Sequence, residues 1–387
     1  MTALRALVLV CATLVVHGSL YPWRFAAPRS FTAALWAMLA DGRWWTGRGD
    51  VVGNVVLFVP LAAVAQLALR EAAWAPRRAG LWVLLCGAAL AMLLQVLQIA
   101  VPARHAALSD VVWNTLGLVI GLGVAASVEP LRRLGLQWRP HDTWWRGAAE
   151  PIALVLALLW LALQWWPFVP TLDWQHIKDA LKPLSHPSLR WSWMSLIDTL
   201  LGVAVLGPLL RAHPARAAGL TALCLLAAAG KLLIAYQAVT LPFVLGCALG
   251  VAACHAGWRA PAVPVRRLLL GLALAWFTLD ELRPFHWGDN ARSFQWLPFV
   301  SLLHGSMLSN LLTLCWNLYW LGAVVLLASG GARRSGAVAL GLAGWVLLLE
   351  LLQTHLPGRT PDITLALLPP LWWLAARAAR QPADIAR

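Results

Sequence analysis

The sequence predicts an all-α, polytopic integral membrane protein of about twelve transmembrane helices, arranged as three divergent four-helix repeats. Three observations carry this expectation. Of 387 residues, 60% are hydrophobic and only 12% charged, against about 25% charged in an ordinary soluble domain. The apolar runs reach the roughly 20 residues that a helix needs to cross a bilayer, whereas barrel strands alternate over about ten. Three of those runs end in related words, "LYPWRF", "WWPFVP" and "LRPFHW".

In chain order the expected spans fall near 4–21, 51–69, 80–101, 111–128, 152–169, 193–210, 217–236, 238–257, 266–280, 307–329, 336–356 and 362–379. The first also reads as a signal peptide, with a basic start, an apolar middle and small residues after it. Internal symmetry favours a retained helix. The break between the seventh and eighth is marked only by Gln237 and Pro242.

The repeats divide at 1–130, 131–262 and 263–387. Each opens with a span, its corner word and an outer loop of about 25 residues rich in Trp, a residue of membrane interfaces. A second span follows, in which Asp50, Asp198 and Ser306 align, as do Asn54, Gly202 and Asn310. The third span ends in Gln98, Gln237 or Gln353, and a fourth completes the unit.

The net charge of +14 does not point to nucleic acid, because the basic residues sit in short clusters between spans. Arg70, Arg77 and Arg78, then Arg132, Arg133, Arg139 and Arg146, then Arg259, Arg266 and Arg267, and Arg333 and Arg334 lie on one side. By the positive-inside bias both termini are expected in the cytoplasm. The six cysteines lie inside apolar runs without CxxC spacing, and no HxH or HExxH pattern exists. Neither a metal site nor a cofactor is expected.

The polar residues left inside this chain form a repeated pattern. Asp50 and Asn54 are four apart, so they share a helix face with Phe58, and Asp110 with Asn114 repeats the spacing. Gln95 with Gln98, and Glu350 with Gln353, are each three apart. A carboxylate within a span costs about 2.5 to 3.5 kcal/mol on insertion scales, so Glu350 should face protein or a watery cavity, its purely structural reading being a hydrogen bond to Gln353 or Asn310. Arg104 and Arg359 follow Pro102 and Pro357, where a guanidinium suits a phosphate or a carboxylate. Asp110, and Asp362 after Pro361, also fit ordinary helix starts. Lys231, within the seventh span, is expected to snorkel or to pair with an acid such as Asp198.

The words "GDVVGNVVLFVPLA" and "LLQVLQIAVPARHAALSDVVWNTLG" resemble the VanZ-like family of bacterial membrane proteins, named for a teicoplanin-resistance protein. The resemblance covers 43–126 through Asp50, Asn54, Phe58, Pro60, Gln98, Arg104, Asp110 and Asn114. It extends in part to 280–380 through Asn310, Glu350, Gln353, Arg359 and Asp362. Gln95 stands where the family has Glu, and Ala366 replaces the closing Asn of the third copy. What it implies is an envelope role, with membrane lipids, a lipid-linked glycan or a glycopeptide as partner. Two other classes stay open. A transporter would use Glu350 and Lys231, and an enzyme acting on lipid-linked sugars or peptides would use Asp110 or Glu350 as acid or base.

Overall fold

A computed structural model describes residues 2–44, 48–133, 149–186, 190–211, 216–288, 292–303, 306–329 and 335–380. Among them are fifteen helices. The first five are α1 (Ala3–Leu20), α2 (Phe31–Ala40), α3 (Arg48–Glu71), α4 (Pro76–Gln98) and α5 (Leu108–Arg133). Next come α6 (Ala149–Trp165), α7 (Trp174–Ser185), α8 (Trp193–Leu210), α9 (Arg216–Leu233) and α10 (Leu241–Arg259). The last are α11 (Ala262–Glu281), α12 (Val300–Leu303), α13 (Met307–Ala328), α14 (Ser335–Gln353) and α15 (Thr364–Arg380). The starts are written in the sequence. Thr2, Ser30, Asp173, Ser192 and Thr240 each accept a backbone N–H of the helix they precede, which satisfies a donor the helix cannot use itself.

Ten of these helices are long and apolar enough to cross a membrane: α1, α3, α4, α5, α8, α9, α10, α11, α13 and α14. The protein is therefore a multi-pass membrane protein. The expected spans at 152–169 and 362–379 are α6 and α15, of 17 residues each. At 1.5 Å per residue that is about 26 Å, short of the roughly 30 Å hydrocarbon core. The weakly marked seventh break is real, since α9 ends at Leu233 and α10 begins at Leu241. The Trp-rich outer loops are not plain loops, because α2, α7 and α12 lie inside them.

The chain forms two compact units, one centred on Met1–Gln137, the other on Trp138–Leu302 and Ser309–Ala383. The expected boundary at 130 falls within α5, and the second and third expected repeats share the second unit.

In the first unit Val15, Phe58, Val83, Leu94 and Leu118 pack one core from α1, α3, α4 and α5. Small residues bring α5 against α3. A Cβ placed on Gly117 would lie 2.3 Å from the Val55 carbonyl oxygen, and one on Gly121 2.3 Å from that of Val59. Such small-xxx-small spacing lets two membrane helices approach backbone to backbone. In the second unit Gly246 and Gly250 of α10 meet α8 in the same way, at Leu196 and Leu200.

The second unit's core runs from Ile152 to Ala376. Within it Tyr319, Trp320, Leu321 and 323–327 of α13 are all buried, so this half of the helix is covered on every side. Asp198 of α8 accepts indole N–H bonds from Trp276 of α11 at 3.0 Å and Trp316 of α13 at 3.2 Å. The expected pair with Lys231 does not form. The Lys231 ammonium donates to Gln237 at 3.0 Å and lies over the Phe243 ring. Indole N–H groups satisfy a carboxylate as well as an ammonium does, without a second charge to desolvate. Asp198→Ala should cost about 2 to 4 kcal/mol by leaving two indole donors unmatched, whereas Asp198→Asn, which keeps an acceptor oxygen, should cost less. Detergent-solubilised protein followed by thermal unfolding tests the order; equal losses would remove the indoles from the explanation.

Candidate functional site

The polar residues gather where the first helix of a motif meets the connection between its third and fourth. In the first unit α1 ends in a corner at Tyr21-Pro22, after which Trp23 takes a positive φ of 62°. The exposed carbonyls of that helix end are taken by motif side chains. Arg104 donates through Nε to the Tyr21 oxygen at 2.9 Å and through Nη2 to the Gly18 oxygen at 2.6 Å. Gln98 donates to the Ser19 oxygen at 2.9 Å. A helix C-terminus leaves unused carbonyls and carries partial negative charge, so a guanidinium there is favourable on both counts. The ligand-seeking arginine of the sequence reading thus has a structural partner, one that any backbone can supply.

Gln95, which the sequence reading left outside the site, is its hinge. Its Oε1 accepts the Ala107 N–H at 3.0 Å, and its Nε2 reaches Asp110 at 3.4 Å. Asp110 stands in the first turn of α5, where a carboxylate offsets the helix dipole. Asn114 is buried one turn on, its Oδ1 without a hydrogen-bond partner among the described residues. Asn54 is half-buried on α3. Asp50 opens the same helix, and its side chain lies outside the described residues, as do the basic residues expected at 139, 146, 333, 334 and 387.

Beside this knot a cavity of about 430 Å³ opens between α2 and the connection from α4 to α5. Gln98 and Arg104 line it, together with Arg43, His105 and Asp41. Arg43 grips Asp41 at 3.0 and 2.9 Å through Nε and Nη2, and its Nη2 lies 3.3 Å from His105 Nε2. The hydrogen-bonded Arg43 guanidinium holds the Asp41 carboxyl down to about 2. Two guanidiniums and an imidazole therefore face one carboxylate. Arg43 belongs to a Trp-rich outer loop, and its spacing from Asp41 was the available signal.

Residues 6–129, from α1 through α5, match the sequence model of the VanZ/LLP1 family. This stretch is VanZ-like. No curated protein and no solved structure matches the chain. The VanZ-like match takes in Gln98, Arg104, Asp110, Asn114 and the lining of the cavity, and it ends before the second unit begins.

In the second unit the remaining motif residues form a denser knot without being part of that match. Arg359 repeats the part that Arg104 plays in the VanZ-like stretch. Its Nε donates to the Arg283 oxygen at 3.1 Å and its Nη2 to the Asp280 oxygen, at the end of α11 before Pro284. Arg283 and Asp280 are three apart, as are Tyr21 and Gly18. A residue the sequence reading missed completes it. Glu281, 5% exposed, lies 3.6 Å from Arg359 Nη1 and accepts Gln353 Nε2 at 2.6 Å. Glu281 occupies the register of Ser19, so Gln353 bonds a side chain where Gln98 bonds a carbonyl. An acid one residue before "LRPF" was visible in the sequence, but it reads as an ordinary interfacial charge.

Glu350 does not bond Gln353 or Asn310, as expected, but accepts the Asp362 N–H at 3.1 Å. Asp362 is not a first-turn residue, because α15 starts at Thr364. Its carboxylate accepts Thr364 N at 2.7 Å and both the N–H and hydroxyl of Ser301. Asn310 donates to the Ser301 oxygen at 3.2 Å. Backbone pairing of Gln295 with Pro361 and Ile363 closes this copy, where the VanZ-like one is open.

Proposed function

We propose that the VanZ-like unit is a receptor for the phosphate-bearing headgroup of an envelope lipid or lipid-linked glycan, held in the cleft of Arg43, His105 and Arg104. The observation that carries this reading is the cationic lining of the 430 Å³ cavity, three basic side chains against Asp41 alone. The Arg43 guanidinium is itself exposed, so it can exchange its half-buried Asp41 partner for a phosphate at small cost, since pairs open to solvent contribute only about 0 to 1 kcal/mol. Gln98 lines the wall and Arg104 ties it to α1, while Asn54, Asp110 and Asn114 stand outside that lining, on α3 and α5. Asp50 stands one turn before Asn54 on α3.

The family resemblance and the arginine bias support an inner-membrane protein of the cell envelope with both termini in the cytoplasm and this cleft at the outer leaflet. A glycopeptide of the teicoplanin type, or the lipid it targets, is a partner of matching chemistry. The recurring corner and its carbonyl-capping side chain support three four-helix repeats, with α6 and α15 as their short spans. The knot of Asn310, Glu350, Gln353, Arg359 and Asp362 is then the closed relative of the cleft. The transport reading rests on Glu350 and Lys231, yet both are satisfied locally, by Asp362 and Gln237.

The test is native mass spectrometry of the purified chain with phosphatidylglycerol and with diacylglycerol of the same acyl chains. Phosphatidylglycerol should be retained and diacylglycerol not. The Arg43→Ala, His105→Ala double variant should retain at least about tenfold less, as expected for loss of one or two charge-assisted bonds. Unchanged retention by the folded variant would sink the reading.

A further inference from the structure

We propose that the second unit carries a separate site for a zwitterionic aminophospholipid headgroup, one phosphate with one primary ammonium, in the cleft between α7 and the connection from α9 to α10. This cavity of about 360 Å³ sits beside the corner at Trp166-Pro167, where Phe168 takes a φ of 59°. Gln237 donates to the Trp166 oxygen there, the register that Arg104 serves at Tyr21. The arginine and aspartate of the motif are missing from this repeat. New groups have come from α7 instead.

The groups that remain for a ligand can be identified by elimination. Both ends of the Gln237 amide are used, on Trp166 and Lys231. Asp179 is held by Lys182 at 2.5 Å and by Gln175 at 3.1 Å. Asp173 caps α7 through one oxygen, to Gln175 N, and no cation pairs with it among the described residues. Arg190 lines the same cleft with neither an ion-pair nor a hydrogen-bond partner among those residues. His176 turns a buried Nε2 without a hydrogen-bond partner. One carboxylate, one guanidinium and one ring nitrogen therefore await partners in one cavity. That is the complement of an ammonium and a phosphate two carbons apart.

The rim identifies the source as a lipid rather than a soluble zwitterion. Leu172, Trp174 and Tyr236 are 88%, 66% and 83% exposed around the opening. On α7 the face of Ala180 and Pro183 is buried, while Trp174, Leu181 and Leu184 stay exposed beside Lys178 and Lys182. An apolar stripe flanked by lysines, on a segment joining α6 to α8, suits a helix lying in the membrane interface.

The experiment compares phosphatidylethanolamine, phosphatidylcholine and phosphatidylglycerol of matched chains on the full-length protein by native mass spectrometry. Phosphatidylethanolamine should be retained at least about tenfold over phosphatidylcholine, whose quaternary nitrogen has no N–H to donate. Asp173→Asn, which keeps the helix cap, and Arg190→Gln should each bring it down to the phosphatidylcholine level. Because the cleft of Arg43 and His105 takes the phosphate of either lipid, Arg43→Ala with His105→Ala should lower both retentions alike and leave the excess of phosphatidylethanolamine over phosphatidylcholine unchanged, so failure of one site is distinguishable from failure of the other. Equal retention of the two lipids would overturn the proposal. So would Asp173→Asn and Arg190→Gln variants that retain phosphatidylethanolamine, or its release by equimolar glycerophosphoethanolamine.

Discussion

Arg359→Ala should destabilise the second unit by about 3 kcal/mol or more, the usual consequence of removing one partner from a buried ion pair. Three losses coincide. The Glu281 carboxylate keeps Gln353 but loses its cation at 3.6 Å. The carbonyls of Asp280 and Arg283 lose their donors at the end of α11. Arg359→Lys should recover only part of this, because a point charge with a flexible stem cannot bond a carbonyl pair and a carboxylate with one planar fork.

Arg104→Ala separates those losses. It removes the same two carbonyl contacts from α1, where Ser19 stands in the place of Glu281. The expected cost is about 1 to 2 kcal/mol, that of unmet acceptors at a helix end. Adding Glu281→Gln to Arg359→Ala should bring its loss close to the Arg104→Ala value. Chemical or thermal unfolding in a mild detergent gives all four numbers. If the double variant is no more stable than Arg359→Ala alone, Glu281 contributes nothing through its charge.

The same comparison explains how much of this protein could be read from its letters. The membrane class and the corner words were legible, since length of apolar run and a Pro flanked by aromatics are properties of the sequence itself. Gln98, Arg104, Gln353 and Arg359 were legible as members of one pattern. Their partners were not, because a backbone carbonyl at a helix end has no letter of its own, and a guanidinium beside a proline looks the same whether it meets a phosphate or Gly18. Asp198 was assigned to Lys231 for a related reason. Charge suggests charge, while Trp276 and Trp316 looked like interface aromatics until the fold turned their N–H groups inward. The clefts depended on α2 and α7, short helices in loops whose Trp content had suggested only an interfacial belt.

Gly121→Leu should be the most damaging single change in the VanZ-like unit, because the obstruction is backbone. A Cβ at Gly121 would lie 2.3 Å from the Val59 oxygen and 2.8 Å from the Ala62 Cβ, so α5 must move off α3. Overpacking a core with side chains that can turn aside costs about 1 to 3 kcal/mol; here the neighbour is a helix carbonyl that cannot rotate away. A loss of at least about 3 kcal/mol is expected, or failure to accumulate in the membrane, with Gly121→Ala less severe. Gly123, two residues on, is the control, since a Cβ there meets nothing within 4 Å. Gly123→Ala should be neutral or gain up to about 1 kcal/mol from helix propensity. Because α5 follows directly on the connection that carries Arg104 and His105, a shift of α5 off α3 also moves the cleft wall. Gly121→Ala, if it folds, should therefore lose phosphatidylglycerol retention out of proportion to its stability. Retention that tracked stability alone would separate the helix contact from the site.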